Sequence, residues 1–434
     1  MHNKDIRTKY GIVRGTKEGE SIVYKGIPYA KPPVGNLRFQ PPQEPERWEG
    51  VYLADSFPDR NYMPLSDGKS FYDLEFYWDS RYETPYSEDC LYLNIWKPEE
   101  ERAELCPVAF WIHGGAFDHG YGHEMEFDGA EYNKRGVILV TVNYRIGVLG
   151  FLAHSWLTQE SKQNISGNYG LLDQIFALKW VRENIEAFGG DPDNITVFGQ
   201  SAGAVSTQIL ISSPLTKDWI SKAILQSGIS YHTGVFANTR LQEAEKMGEE
   251  FVSYCGIGSL EELRQFEPEK LLEKQVAFCG LHPEYVMCFA PNIDGILLTK
   301  ELEESVEDGS IKHIPYMAGS TEDDIWVTPE LLAQGKKGPL YDSIEAWSKS
   351  VAENGIKMPY VYYFTRDLPG DCAGSFHSAE LWYTFGTLHR SRRPMEEKDD
   401  LLSRQMLDAW TRFMRCGNPG EHWKRFPEVK VFDI

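Results

Sequence analysis

The pentapeptide Gly199-Gln200-Ser201-Ala202-Gly203 lies between an apolar run, Ile195 to Phe198, and a second run from Ala204 to Ile211 with a helical pattern. A serine on a sharp strand-to-helix turn is held in a strained backbone geometry, and a Cβ two residues away on either side would crowd it. Glycine at both 199 and 203 relieves that crowding, and the helix that follows turns its positive end toward a reacting oxygen. A G-x-S-x-G string alone is short enough to arise by chance in a loop. Its setting between a strand and a helix marks Ser201 as a nucleophile. Some ninety residues earlier, His113-Gly114-Gly115-Ala116 follows the apolar run Val108 to Ile112. Two glycines there leave backbone N–H groups unscreened, so that with the N–H of Ala202 they could bind a developing oxyanion.

A nucleophilic serine needs an acid and a base, expected in the chain order serine, acid, histidine. The acid falls within Gly319-Ser320-Thr321-Glu322-Asp323-Asp324-Ile325, where pattern does not separate Glu322, Asp323 and Asp324; most acidic triplets are solvated loop, but here one should be buried to hold the imidazole tautomer. Of the histidines beyond it, His377 follows an apolar run by a loop holding Pro369, Gly370 and Gly374, the position a base requires. His389 adjoins Arg390, Arg392 and Arg393, a cationic setting that depresses basicity, and His422 is in the tail. His119 and His123 with Glu124 have an i, i+4 spacing, but Gly120 and Gly122 argue against a helix there, and no metal site is expected.

The elements that must position these residues are short apolar runs bounded by turn residues, as in strands of a parallel sheet buried on both faces. They are Val108 to Ile112, Val137 to Val142, Ile195 to Phe198, Lys222 to Gln226, Ile314 to Ala318 and Tyr360 to Phe364. A helical pattern from about Leu171 to Ala187, stopped by Gly189-Gly190, is the clearest of those between them, and the alternation predicts a doubly wound α/β sheet. Before residue 100 the runs Ile22 to Tyr24 and Tyr92 to Ile95 suggest short antiparallel strands. Polar helical stretches at about 239–307 and 329–351 are expected to lie over one end of the sheet. Length alone allows about three domains, but no linker or repeat is visible, so residues 1–434 are read as one.

With 44 Lys plus Arg against 65 Asp plus Glu, the net charge of −21 removes the footprint of a nucleic-acid binder or of a protein held on anionic lipid. No apolar run approaches the ~18 residues that cross a bilayer, so no membrane span is expected. Met1 to Tyr10 lacks an apolar leader core, so no secretory signal is expected. Seven scattered cysteines without a C-x-x-C pair predict neither a disulfide framework nor a zinc site and suggest a reducing cytoplasm. The sequons at Asn164 and Asn194 read as chance matches.

The sequence resembles the type-B carboxylesterase family of the α/β-hydrolase fold, which also holds cholinesterases and bacterial para-nitrobenzyl esterases. The resemblance covers essentially the whole chain and rests on Gly26-Ile27-Pro28-Tyr29-Ala30, Ser87-Glu88-Asp89-Cys90-Leu91-Tyr92-Leu93-Asn94, Trp111-Ile112-His113-Gly114-Gly115-Ala116-Phe117 and Gly167-Asn168-Tyr169-Gly170-Leu171-Leu172-Asp173-Gln174. It continues through Phe188-Gly189-Gly190-Asp191-Pro192, the Ser201 pentapeptide and Phe376-His377-Ser378-Ala379-Glu380-Leu381. It implies that the acid is the sixth residue of the segment opening at Gly319, Asp324, where the family usually has Glu, with Ile325 in place of the following Gly. It also implies ion pairs Arg38–Glu88 and Arg145–Asp173. The cysteine matching Cys90 pairs with an upstream cysteine in secreted members; none precedes it here, consistent with a cytoplasmic enzyme. Gln200 stands where cholinesterases carry Glu, which disfavours choline esters.

The resemblance implies a serine carboxylesterase acting on small short-chain or aryl esters, without cofactor, as a monomer or small homo-oligomer. Ser201, Asp324 and His377 are the expected catalytic residues and Gly114, Gly115 and Ala202 the expected oxyanion site. A cinnamoyl or feruloyl esterase is the alternative within hydrolysis. A non-catalytic interaction protein of the same fold is the alternative outside it, opposed by the intact Ser201 and His377. The 53 residues from Asp324 to His377 are fewer than is usual in the family, which implies a reduced helical cover and an open pocket.

Overall fold

The computed structural model describes residues 4–66, 68–216, 218–232, 239–283, 285 and 287–433. A small sheet joins β1 (Asp5–Arg7), β2 (Ile12–Arg14) and β5 (Val51–Leu53). The large sheet has ten strands: β3 (Thr16–Glu18), β4 (Ser21–Pro28), β6 (Tyr92–Pro98), β7 (Cys106–Ile112), β8 (Ile138–Val142), β9 (Gly190–Gln200), β10 (Lys222–Gln226), β11 (Tyr316–Thr321), β12 (Tyr360–Phe364) and β13 (Val429–Phe432). Their spatial order is β13-β12-β11-β10-β9-β7-β8-β6-β4-β3. From β8 to β13 every pairing is parallel, whereas β6, β4 and β3 add on antiparallel at the other edge.

The continuous apolar runs follow from burial on both faces. Along β7, Val108, Phe110 and Ile112 enter one core while Ala109 and Trp111 enter the other. On the first face the helix Tyr169–Asn184 packs Leu171, Ile175, Leu178 and Val181 beside the helix Ala202–Ser212. On the second, the helix Glu397–Cys416 contributes Leu402, Met406, Trp410 and Phe413. Side chains alternate across a strand, so an interior strand with a core on each face is apolar at most positions of both faces.

Several boundaries differ from expectation. The helix expected from Leu171 starts at Tyr169 and passes at Ile185 into a 3₁₀ turn that Gly189 ends with φ of 85°, a left-handed C-cap that glycine adopts without strain. The strand expected at 314–318 runs from Tyr316 to Thr321, because its pairing with β12 continues to Thr321 opposite Phe364, beyond the last β10 pair at Gly319. The stretch 239–307 is helical at Leu241–Tyr254, Leu260–Gln265, Pro268–Leu281 and Leu302–Glu307, with no helix among the described residues of 282–301. The stretch 329–351 forms two helices, Pro329–Ala333 and Pro339–Glu353.

Candidate active site

Ser201, the turn at Gly114, Asp324 and His377 all follow the C-terminal ends of strands, β9, β7, β11 and β12, that lie close together in the sheet. Loops at that edge of a parallel sheet converge on one crevice. Ser201 adopts φ of 55° and ψ of −126°, and its N–H donates to the Gln226 carbonyl at 2.9 Å. The strain is held by close packing. A Cβ on Gly203 would come 2.1 Å from the Ile112 carbonyl oxygen, and one on Gly199 would come 2.4 Å from Gly203 itself.

The glycine loop after β7 is braced by His113. Its Nδ1–H donates to the Gly114 carbonyl at 2.9 Å, its ring stacks on Tyr144 with centroids 4.3 Å apart, and burial pushes its pKa down to about 4. A neutral imidazole therefore fixes the Gly114 peptide. A side chain on Gly114 would meet Gln200 O at 2.8 Å and Ser201 Cβ at 3.2 Å, and one on Gly115, at φ of 99°, would strike His119 O at 2.3 Å. Among the described residues, the N–H groups of Gly114, Gly115 and Ala202 are spent on no loop carbonyl.

Of the three adjacent carboxylates, it is Asp324 that meets His377. His377 Nδ1 lies 2.5 Å from Asp324 Oδ1, with the two residues 9% and 4% exposed. Burial alone would lower the His377 pKa, but the Asp324 carboxylate outweighs it and holds the imidazole above its ordinary value; the same contact, against desolvation, keeps Asp324 low. Asp323 serves the loop instead: its Oδ2 accepts from Ser375 N at 2.9 Å, its own N–H donates to Ser375 O at 3.2 Å, and it forms a lone bridge with Phe376. Glu322 is part-exposed, its pKa raised by desolvation and by Asp323. His389 stands apart, its pKa lowered by burial and by Arg390.

Three features escaped sequence reasoning. Gln200 Nε2 lies 3.1 Å from His377 Nε2. With Nδ1–H given to Asp324, that nitrogen is an acceptor and the Gln200 amide is its donor; among the described residues Ser201 Oγ makes no hydrogen bond to His377. Tyr72, on the helix Phe71–Phe76, donates to the His377 carbonyl at 3.2 Å. Glu380, fully buried, is pushed by burial and the Asp324 charge up to about 7; it faces Tyr362 Oη at 3.3 Å and Gln226 Nε2 at 3.4 Å. Only the adjacency of Gln200 to Ser201, and of Glu380 to His377, hinted at these contacts.

The expected ion pairs are present. Arg145 meets Asp173 through Nε and Nη2, each at 2.7 Å, and Arg38 meets Glu88 at 2.6 and 2.5 Å while also donating to Phe266 O. His119 turns to Asp118 at 2.5 Å, whereas His123 lies against Phe57 and Thr84.

The model of the Carboxylesterase family matches residues 2–346 and 337–432. The chain is 36% identical to a para-nitrobenzyl esterase of Bacillus subtilis over 475 aligned positions, covering 98% of this chain and 93% of that protein. The chain belongs to the carboxylesterase family. A mouse carboxylesterase 1C is 29% identical, with 98% and 86% covered. Among solved structures, a PNB esterase superposes with a TM-score of 0.86 at 31% identity over 99% of this chain and 96% of that one. A carboxylesterase of Geobacillus stearothermophilus gives 0.82 at 31% identity, again covering 99% and 96%. The esterase thus has the α/β-hydrolase fold and is a carboxylic ester hydrolase of the serine type. Among its described residues no helix is long and apolar enough to cross a membrane.

Proposed function

We propose that Ser201, His377 and Asp324 act as nucleophile, base and orienting acid, and that the N–H groups of Gly114, Gly115 and Ala202 receive the oxyanion. The observation that carries this reading is the buried His377–Asp324 contact at 2.5 Å, at the same sheet edge as the strained Ser201. Ser201 Oγ displaces the Gln200 amide at His377 Nε2, gives up its proton there and attacks the ester carbonyl. The imidazolium, stabilised by Asp324, returns the proton to the leaving alcohol. Water then repeats the sequence on the acyl-enzyme and frees the acid; the scheme calls on protein groups and water alone.

Substrates on this reading are small esters with short or aryl acyl groups. The short stretch of 53 residues from Asp324 to His377 supports a reduced cover over the pocket. A sheet that takes strands from Thr16 to Phe432 supports reading residues 1–434 as one domain. The charge of −21 and a set of cysteines joined by no disulfide support a cytoplasmic monomer or small homo-oligomer that binds no nucleic acid.

Rapid mixing with p-nitrophenyl acetate tests the mechanism. A burst of one p-nitrophenolate per chain, with the acyl group found by mass spectrometry on the Ser201 peptide, is the expected result. Acylation at another residue would overturn the assignment.

A further inference from the structure

We propose that Tyr72 is a positioning residue for ester hydrolysis: its hydroxyl clamps the main-chain carbonyl of His377 and so keeps the imidazole in register between Asp324 and Ser201. The proposal rests on the reading of His377 as the base; the clamp itself is open to a measurement that does not depend on turnover.

His377 lies in irregular chain, since β12 ends at Phe364 and the next α-helix begins at Leu381. A lone bridge pairs Asp323 with Phe376, one residue before it. Ser378, one residue after it, takes φ of 79°, a left-handed backbone that a non-glycine residue keeps only where its surroundings fix it. Among the described residues no backbone N–H donates to the His377 carbonyl, and Tyr72 Oη does so at 3.2 Å. That carbonyl belongs to the peptide joining His377 to Ser378. Rotation of the peptide turns the main chain at His377 and swings an imidazole whose Nδ1 is 2.5 Å from Asp324 and whose Nε2 is 3.1 Å from the Gln200 amide.

The hydroxyl is itself held in place. The helix Phe71–Phe76 has six residues, too few to be stable alone, and Ser70 and Asp73 close its first turn as a capping box. Outside that helix, every side-chain hydrogen bond and ring-on-ring contact of Phe71, Tyr72, Glu75 and Phe76 among the described residues goes to Phe376, His377, Trp382 or Arg393. Phe71 meets Phe376 edge to face with centroids 4.8 Å apart. The Tyr72 ring stacks on Phe76 at 6.2 Å, and Phe76 stacks on Trp382 at 5.2 Å. Glu75 accepts from Trp382 Nε1 at 2.8 Å and from Arg393 Nε at 2.9 Å, and the Arg393 guanidinium lies 5.1 Å over Phe376. One short helix thus grips the chain on both sides of His377 and sets a hydroxyl between the two grips.

A tyrosine suits this task. Burial and the Asp324 charge push its phenol above the ordinary value, so it stays a protonated donor across the neutral range and adds no charge beside the imidazole. Burial opposes the His377 imidazolium, and the charges of Asp324 and Glu380 favour it. When the clamp slackens, the imidazole draws away from Asp324, and a pKa held above the ordinary value by that carboxylate returns toward about 6.5. Proton transfer at Nε2 is slowed in acylation and in deacylation alike, because both steps pass through His377.

The test is Tyr72→Phe in the full chain, which removes the hydroxyl and keeps the ring stack. Measured are kcat and KM for p-nitrophenyl acetate across pH, a melting curve, and the titration of the His377 imidazole by NMR, assigned against His377→Ala. Expected is a fall in kcat of about tenfold, part of the loss of about a hundredfold that a misplacement of about 1 Å brings. KM stays within about twofold, and both the acid limb of kcat/KM and the imidazole titration move down toward about 6.5. Leu74→Ala, on the exposed side of the same helix, stays within about twofold of wild type. Unchanged kcat and titration overturn the proposal, whatever happens to the melting midpoint. A rise in KM at constant kcat makes Tyr72 a substrate contact and overturns it. An equal loss in Leu74→Ala assigns the effect to the helix as a whole and overturns it too. If His377→Ala keeps turnover, the base reading falls and the kinetic role of Tyr72 falls with it, whereas a shifted titration in Tyr72→Phe still shows the clamp.

Discussion

Replacing Asp324 by asparagine removes a charge while keeping the side chain's shape. Every hydrogen bond that the structure gives the Asp324 carboxylate comes from a donor: His377 Nδ1 at 2.5 Å and Ile325 N at 2.9 Å on Oδ1, and Thr321 N at 3.2 Å on Oδ2. Asparagine offers one acceptor oxygen in place of two. With its NH₂ toward His377, the imidazole must accept at Nδ1 and carry its proton on Nε2, where it is unable to take the Ser201 proton; a tautomer error of this kind costs about 10⁴ in kcat. With its NH₂ toward Thr321, two N–H groups oppose each other and a buried donor goes unpaired at about 1–3 kcal/mol, and the imidazolium loses its counter-charge. Both orientations are damaging, so kcat is expected to fall about 10³- to 10⁴-fold, or about 4–5.5 kcal/mol of barrier. The assay is steady-state hydrolysis of p-nitrophenyl acetate, with circular dichroism and a melting curve to show that the fold survives. Asp323→Asn, which weakens only the Ser375 contacts, is expected to cost about 1–1.5 kcal/mol, close to tenfold, and Glu322→Gln about twofold or less. A loss below tenfold in folded Asp324→Asn, or a larger loss in Asp323→Asn, would refute the reasoning.

Ser201→Ala should abolish turnover while leaving the unfolding midpoint close to wild type; turnover near wild type in the purified variant would sink the mechanism. The acid limb of the kcat/KM profile should lie above the ordinary histidine value of about 6.5, because the base must be neutral and Asp324 holds His377 protonated to higher pH. Gln200→Glu sets a second carboxylate beside His377 Nε2 and should move that limb to still higher pH, whereas Glu380→Gln removes a charge that favours the imidazolium and should move it lower; shifts of opposite sign would contradict the electrostatic account. Asp173→Ala leaves the Arg145 guanidinium buried without its counter-charge and should cost about 3–5 kcal/mol in urea unfolding; a loss under 1 kcal/mol would show that the pair contributes little. Across p-nitrophenyl esters kcat/KM should fall beyond a few acyl carbons, since an open site does not collect about 0.8 kcal/mol for each further CH₂; a steady rise to long chains would contradict the open pocket, and methyl ferulate belongs in the same panel.

Local patterns made most of the scaffold legible in the sequence. An interior strand of a parallel sheet is buried on both faces, so β7, β8, β9, β10 and β12 each appear as a short apolar run whatever their neighbours. The turn at Ser201 needs glycine at 199 and 203 because backbone and Cβ compete for the same space a few residues apart, and that requirement is written locally. The same holds for the glycine pair after β7 and for the left-handed cap at Gly189. The order of serine, acid and histidine left three histidines, and the loop after β12 favoured His377 among them.

What remained open depended on contacts between distant segments. Glu322, Asp323 and Asp324 are chemically alike in sequence. They diverge because β11 extends to Thr321 beside β12, which sends Asp324 inward to His377 and Asp323 across to Ser375, 52 residues away. The Gln200 amide on the imidazole and the buried Glu380 likewise have no local signature. The helix Glu397–Cys416 has its apolar face filled by Phe364, Tyr383 and Trp423, side chains from three other segments. Propensity and turn chemistry act over a few residues and so are written in the chain; desolvation, pKa and the partner of each polar group are set by whatever the sheet order brings alongside, and that is decided only when the chain has folded.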